Sequence, residues 1–332
     1  MALPLKTPTG NRSEKTWSVM SAPANHKPSN TQADLPLTSK LIPRIFGGLG
    51  NQLFIYAAAR RLALVNNAEL VLDDVSGFVS DYSYKRHFQL DHFNINCRKA
   101  NVAERLEPFS RVRRYFMRKL SDNKPFEHRT YLQQEGVDFD QRLLHFKARD
   151  TTYLEGYWQS ENYFKDVEDL IRQDLKITPP VDSLNLAMAS QISSCIAVAM
   201  HVRFFDNEQT LCGNNAPSSY YSTAVDYMER MVPGAHYFIF SDKPELARTQ
   251  ISLPDNRITM VAHNQGDEYA YADLWLMTLC QHFIIANSTF SWWGAWLAAH
   301  KARIVIAPGF EMRHGKMWWG FKGLLPDAWI KL

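Results

Sequence analysis

With 332 residues, 45% of them hydrophobic, the chain suits one large domain or two ordinary ones with a real apolar core. Its 37 Lys and Arg against 34 Asp and Glu leave a formal charge of +3, too mild to argue for nucleic acid as a partner, and no nucleic-acid motif occurs. Cys97, Cys195, Cys212 and Cys280 form no CxxC pair and suit a reducing compartment better than a disulfide framework, while no run of eighteen apolar residues offers a membrane span.

Residues 1–40 carry five prolines among Ser, Thr, Asn and Lys, without periodic apolar positions or the regions of a secretory signal. They read as a disordered lead to a cytoplasmic protein, soluble or peripheral to the inner membrane. A short strand over 41–46 is expected to meet the glycine loop Gly47-Gly48-Leu49-Gly50-Asn51-Gln52. A helix follows, with Phe54, Ala58, Leu62 and Val65 at helical spacing, then a strand over 69–72 ending at Asp73-Asp74. This is a β-α-β unit, whose crossover is expected to be right-handed. Between Arg98 and Arg129 ten basic residues face four acidic ones. That stretch reads as the solvated face of a basic helical insertion, or as a weak contact with an anionic membrane surface or a phosphate-bearing acceptor. A strand over 152–156 and a helix over 161–175 close the first half, and Pro179-Pro180 marks the boundary. Strands are then expected at 196–200, 236–240, 258–261, 283–286 and 303–306, alternating with helices at 220–231, 244–249, 268–280 and 290–299. Such alternation argues a parallel sheet covered on both faces, hence two Rossmann-like domains, 41–180 and 181–310, facing across a cleft, with a tail over 311–332.

The run 196–200 is short, uninterrupted and rich in small or β-branched residues, as a doubly buried strand should be. His201, Arg203 and Asp206 therefore emerge at a carboxyl end, the edge of an open α/β sheet where ligands sit, and an arginine there offers a planar fork for two phosphate oxygens. They read either as a nucleotide-diphosphate site or as a buried Arg203–Asp206 pair beside a core histidine. Asn287-Ser288-Thr289-Phe290 opens a tryptophan-bearing helix and reads as a plain cap or as an anion site made by free amides and the helix dipole. Ser241 and Asp242 end another strand at the same edge, where Asp242 would accept from a base or ribose, or cap the next helix. The glycine loop, with Asp73 downstream, imitates a dinucleotide fingerprint but has Leu53 where the third glycine belongs. Asn51 and Gln52 instead put amides at a helix start, facing the cleft, for a hydroxylated ligand or a substrate phosphate. Asp138-x-Asp140 is a metal pair without a strand before it, so no metal is expected, and no hydrolase motif is present. Asp206, Asp73 and Asp74 are the carboxylates to test as a general base.

Five ordered stretches resemble the motifs of family 11 glycosyltransferases, the α-1,2-fucosyltransferases: Gly47 to Phe54, Tyr153-Leu-Glu-Gly-Tyr-Trp-Gln-Ser-Glu161, His201-x-Arg203-x-x-Asp206, Phe240-Ser241-Asp242, and Ile285 to Trp296. The resemblance implies a GT-B fold and inverting, metal-independent transfer of L-fucose from GDP-fucose to the 2-hydroxyl of a terminal galactose. No cofactor beyond that donor is implied, and bacterial members usually decorate O-antigen or another surface polysaccharide, so the acceptor oligosaccharide is expected to be lipid-linked in some members. Carried over, Arg203 would bind the diphosphate and neutralise departing GDP, with His201 and Asp206 shaping the donor pocket. Ser241 and Asp242 would lie toward the nucleoside, and Asn287, Ser288, Thr289 and Phe290 around the phosphates. Asn51 would stand beside the acceptor, in a surface with Gly48, Gly50, Gln52 and Asp73. Arg203, Asp206 and Asn51 are the catalytic candidates. One departure is visible: Phe204 and Phe205 stand where the family usually has Arg and Gly. It keeps open a transferase of another GDP-6-deoxyhexose, or a sugar-nucleotide or glycan-binding protein without turnover. An NAD-dependent oxidoreductase using residues 48–53 is the further rival.

Overall fold

The computed structural model describes residues 39–82, 84–205, 215–300, 302–309 and 319–332, so nearly all of the expected lead, and Asp206 and Cys212, lie outside the described residues. Strands β1 (Ser39–Pro43), β2 (Ala68–Leu72), β3 (Arg98–Lys99), β4 (Tyr131–Gln133) and β5 (Thr151–Glu155) form one sheet in the order β3-β2-β1-β5-β4, with every pairing parallel. Helix α1 (Leu49–Val65) crosses from β1 to β2; α2 (Ser110–Asp122) and the short α3 (Arg142–His145) belong to the excursion from β3 to β5. After α4 (Glu168–Asp174) and α5 (Ser183–Ser193), strands β6 (Ala197–Val202), β7 (His236–Ser241), β8 (Ile258–Val261), β9 (His282–Ile284), β10 (Val305–Ala307) and β11 (Ile330–Lys331) build a second parallel sheet, ordered β11-β10-β9-β6-β7-β8. Helices α6 (Ser218–Met231), α7 (Pro244–Thr249), α8 (Ala270–Leu279) and α9 (Thr289–Leu297) alternate with those strands. Two Rossmann-like parallel sheets with helices are the GT-B arrangement.

The two halves share a core. Helix α1 is buried nearly all round, as a helix packed between layers rather than on a surface must be. Its Phe54 ring lies 4.5 Å from Trp292 and 4.9 Å from Trp293 of α9, measured between centroids. Phe164 stacks on Trp293 at 5.6 Å, so this tryptophan cluster is packing material rather than a sugar platform.

Three expectations change. The helix expected over 161–175 is interrupted at Phe164, which lies between two single 3-10 turns (Glu161–Tyr163 and Lys165–Val167) and stacks its ring on Trp293, and only α4 is α-helical. Helix α5 was not anticipated, although Asp182 caps it through Asn185 N at 2.9 Å. The expected tail is part of the fold: β11 pairs with β10, Trp319, Leu324 and Trp329 are buried, and Leu324 O accepts from Trp292 Nε1 at 2.8 Å.

Candidate active site

Where strand order reverses in an open parallel sheet, the loops leaving the two central strands part and open a crevice at their carboxyl ends. In the second sheet β6 to β8 lead one way and β9 to β11 the other, so the reversal lies between β6 and β9. Arg203 follows β6, and the start of α9 follows β9. In the first sheet the reversal lies between β1 and β5, followed by the Gly47-Gly48 turn into α1, whose first turn holds Asn51, and by Gly156–Gln159 respectively. The reversals meet. Thr289 Oγ1 donates to Asn51 Oδ1 at 3.1 Å, and Gln159 Nε2 donates to the same oxygen at 2.8 Å.

Arg203 leaves β6 with Nη1 held by Asp242 Oδ2 at 3.1 Å and its guanidinium over the Phe205 ring at 5.5 Å. Asp242 Oδ1 accepts from Phe204 N at 3.0 Å, so one carboxylate fixes both the backbone and the tip of this segment. The arginine side chain stays 23% exposed, within reach of a ligand. Ser241 Oγ accepts from Lys243 N at 3.1 Å and shapes the same turn. On the neighbouring motif Ser288 caps α9 through Phe290 N at 3.3 Å, and a hydroxyl that accepts in this way keeps its hydrogen to donate. Asn287 is buried beside it. A planar cation and a helix start thus stand side by side at one sheet edge, a combination suited to a diphosphate.

His201 joins the two motifs: its ring lies 5.6 Å from that of Phe290, and its carbonyl accepts from Tyr221 OH at 3.2 Å. Burial, and after it the charge of Arg203, push its pKa down to about 3, so the ring is neutral at working pH. The unfolded chain, with a histidine pKa of about 6.5, then binds a proton that the folded chain refuses. Stability from this residue is full above about pH 6.5 and is lost as pH falls toward about 3. His201→Gln is expected to flatten the stability–pH slope in that window by up to about 1.4 kcal/mol per pH unit, read from denaturant midpoints. An unchanged slope would mean that the folded histidine titrates normally.

The sequence profile of glycosyl transferase family 11 matches residues 45–314, which include every motif just described. The chain belongs to glycosyl transferase family 11. It is 28% identical over 279 residues to an Alpha-1,2-colitosyltransferase of Escherichia coli, covering 81% of this chain and 91% of that one. It is 29% identical over 308 residues to the O-antigen biosynthesis glycosyltransferase WbnK, also of Escherichia coli, covering 86% and 98%. A Galactoside 2-alpha-L-fucosyltransferase of Caenorhabditis elegans matches at 28% over 168 residues, 45% of this chain and 43% of that one.

In this family 11 glycosyltransferase two residues expected on the acceptor side do other work. Gln52 is fully buried: its Nε2 donates to Gly47 O at 3.0 Å and His87 O at 2.8 Å, and its Oε1 accepts from Gln89 N at 2.9 Å. It holds the glycine loop in shape, and its amide is already bonded on both sides. Asp73 is 1% exposed and takes Arg114 Nη2 and Ser76 Oγ, each at 2.5 Å, plus Ser76 N at 3.0 Å, so it is a buried ion-pair partner and not a free base. Asp74 lies 3.7 Å from Lys99 Nζ. Asp138 and Asp140 are engaged too, by Lys322 N and by Arg142, and among the described residues no three His, Cys, Asp or Glu side chains cluster as metal ligands.

The two glycines of the loop part company. Gly48 is the N-cap of α1, and a Cβ there would meet only the Arg86 guanidinium, 2.6 Å away at the end of a flexible side chain. A Cβ on Gly50 would lie 2.5 Å from the Thr289 carbonyl carbon and 2.6 Å from Phe290 N, against backbone that cannot swing aside. Gly50→Ala is expected to destabilise the protein by about 1–3 kcal/mol and to lower turnover by prising Asn51 from Thr289. Gly48→Ala is the control, and equal denaturant midpoints for the two variants would refute the close approach.

Sequence reasoning singled out Asn51 but missed Gln159, although it lies inside a quoted motif, because an amide among aromatic residues carries no signal until its partner is known. Arg86 was missed for a better reason. Its ion pair to Asp267 (3.0 Å), reinforced by Gln89 Nε2 to the same carboxylate at 2.7 Å, joins residues some 180 apart in sequence and has no local pattern.

Proposed function

We propose that the protein transfers L-fucose from GDP-fucose, with inversion and without a metal, to the 2-hydroxyl of a terminal galactose on a glycan. One observation carries the reading: Asn51, Gln159 and Thr289 form a single hydrogen-bonded cluster across the two sheet reversals, and Arg203 leaves β6, the strand paired with the β9 that leads to Thr289. The diphosphate lies against Arg203 and the start of α9, and the acceptor galactose lies on the Asn51 side. Its hydroxyl then attacks the anomeric carbon from the face opposite the leaving GDP, which inverts the linkage. Negative charge grows on the β-phosphate as the glycosidic bond breaks, and donors already fixed around it stabilise that state more than the ground state. The acceptor proton passes to a carboxylate; with Asp73 engaged, Asp206 is the candidate on sequence grounds.

Linkage analysis of the product from GDP-fucose and a panel of galactose-terminated acceptors tests the reading. An α-1,2-linked fucosyl product is expected; GDP-fucose affinity with no GDP release on any acceptor would leave a binding protein. A second reading, transfer of colitose, is favoured by Phe204 and Phe205 and by the colitosyltransferase relative. GDP-colitose therefore belongs in the same screen, and turnover with it alone would overturn the fucose assignment while sparing the site. Arg203 and the helix start provide the positive charge that a metal would otherwise bring, so excess chelator is expected to leave turnover unchanged. Its loss on chelation, with recovery on adding back a divalent cation, would overturn the metal-independent route. By the same reading the acceptor is an oligosaccharide of a bacterial surface polysaccharide such as O-antigen, carried on a lipid at the inner face of the membrane. Among the described residues no helix is long and apolar enough to cross a membrane.

A further inference from the structure

Helix α2 is built inside out. Phe109 just before it and Val112, Phe116 and Leu120 within it recur at three- and four-residue steps, which places them on one face, and they are 76%, 53%, 58% and 66% exposed. The opposite face is anchored, with Met117 packed on the apolar cluster around Tyr131 and Tyr153 and the remaining anchors polar. Arg114 is buried against Asp73, Ser121 Oγ accepts from Tyr131 N at 3.1 Å, and Arg118 Nη1 donates to Gln133 Oε1 at 3.3 Å. A surface helix of a globular protein normally turns its apolar stripe to the core; this one turns it outward.

Its charge identifies the partner. Arg113 and Lys119 border the apolar stripe on either side, Arg111 precedes it, and Asp122 is the only acid in the helix. None of Arg111, Arg113 and Lys119 has a carboxylate partner among the described residues: they reach Ser80 Oγ, Glu107 O and the Tyr115 ring. An apolar stripe flanked by unpaired cations fits the interface of an anionic phospholipid bilayer, where the rings enter the headgroup boundary and the basic groups meet phosphates. A second copy of the chain fits poorly, because a two-fold contact through this face would set the same cations against themselves.

Position adds a purpose. Asp73 follows β2 and Gln133 ends β4, so two of the three polar anchors of α2, Arg114 and Arg118, lie at the carboxyl-terminal edge of the first sheet, the edge where Asn51 stands in the first turn of α1. We propose that the outward face of α2 is a docking surface for anionic lipid that holds the acceptor side of the cleft against a bilayer. The surface itself rests on the geometry of α2 and does not depend on which sugar is transferred; that it faces the acceptor side rests on the proposed function.

Co-sedimentation of the full chain with vesicles tests it, using phosphatidylcholine alone and phosphatidylcholine mixed with phosphatidylglycerol. The protein is expected to pellet with the mixed vesicles only, and less so as salt is raised. Val112→Ser with Phe116→Ser, and separately Arg113→Gln with Lys119→Gln, are each expected to weaken that partitioning at least about tenfold. Turnover on a soluble acceptor is expected to be unchanged in both, which shows that they fold. These substitutions avoid Arg114, whose charge is already used inside the protein. Equal pelleting of wild type and both variants would overturn the proposal, and so would failure of the wild type to pellet. A wild-type dimer in sedimentation velocity that the serine variant turns into a monomer would assign the face to a second copy instead.

Discussion

Arg203→Ala is expected to lower kcat by about 10²- to 10³-fold, the scale of losing one preorganised donor at a centre of developing charge. The geometry makes the arginine a fixed group rather than a mobile one: Asp242 grips one nitrogen, the Phe205 ring lies beneath the guanidinium, and Phe204 N ties the backbone to the same carboxylate. Donors held in place before the reaction need no reorganisation when charge arrives. Arg203→Lys is expected to recover little, because an ammonium keeps the charge but not the planar fork that can face Asp242 and a phosphate together. Asp242→Asn separates positioning from charge; it should raise KM for the donor and lower kcat less than the alanine variant does. Steady-state kinetics with saturating acceptor measures all three. Near-normal kcat in Arg203→Ala would detach this residue from the leaving diphosphate and take the proposed mechanism with it.

What could be read from the sequence follows from how local each cause is. The strands at 236–240 and 258–261 and the helix at 244–249 lie within a residue of their observed limits, because an apolar run bounded by turn residues or by proline at N1 states its own ends. The long helix expected over 161–175 failed where a distant ring, Trp293, claimed Phe164. Strand β11, two residues long, has no pattern of its own and forms because β10 offers an edge. The site divides the same way. Arg203 and the start of α9 were legible because each ends an apolar strand, and neighbouring strands with a common direction bring such ends together. Their partners were not: the ion pair read from the sequence joined Arg203 to Asp206, which lies outside the described residues, and the Asp242 carboxylate that grips Arg203 follows the adjacent strand with no local pattern to announce it. Gln52 and Asp73 looked like cleft residues because glutamine and aspartate usually face water, and only the coordinates show a loop and a helix that need them inside.

Removing either member of the Asp73–Arg114 pair is expected to cost about 3–5 kcal/mol of stability, because the survivor is left as an uncompensated buried charge. Both side chains are nearly sealed, at 2% and 7% exposure, and they meet at 2.5 Å, so solvent cannot repair the loss. The partners that would remain are too weak to substitute: Ser76 for the carboxylate, the Arg105 carbonyl at 3.1 Å for the guanidinium. Replacing both at once, as Asp73→Leu with Arg114→Met, is expected to cost much less than the sum, since desolvation of the two ions disappears along with their attraction. Denaturant midpoints for wild type, the two single variants and the double variant close a cycle, and the coupling should reach a few kcal/mol. The same set separates structure from chemistry. If Asp73 only docks α2, Asp73→Asn keeps its turnover per folded molecule at low temperature, whereas a proton acceptor at this position would lose turnover with the fold intact. Simple additivity in the cycle would mean that the pair is not what fastens the basic helix to the edge of the sheet.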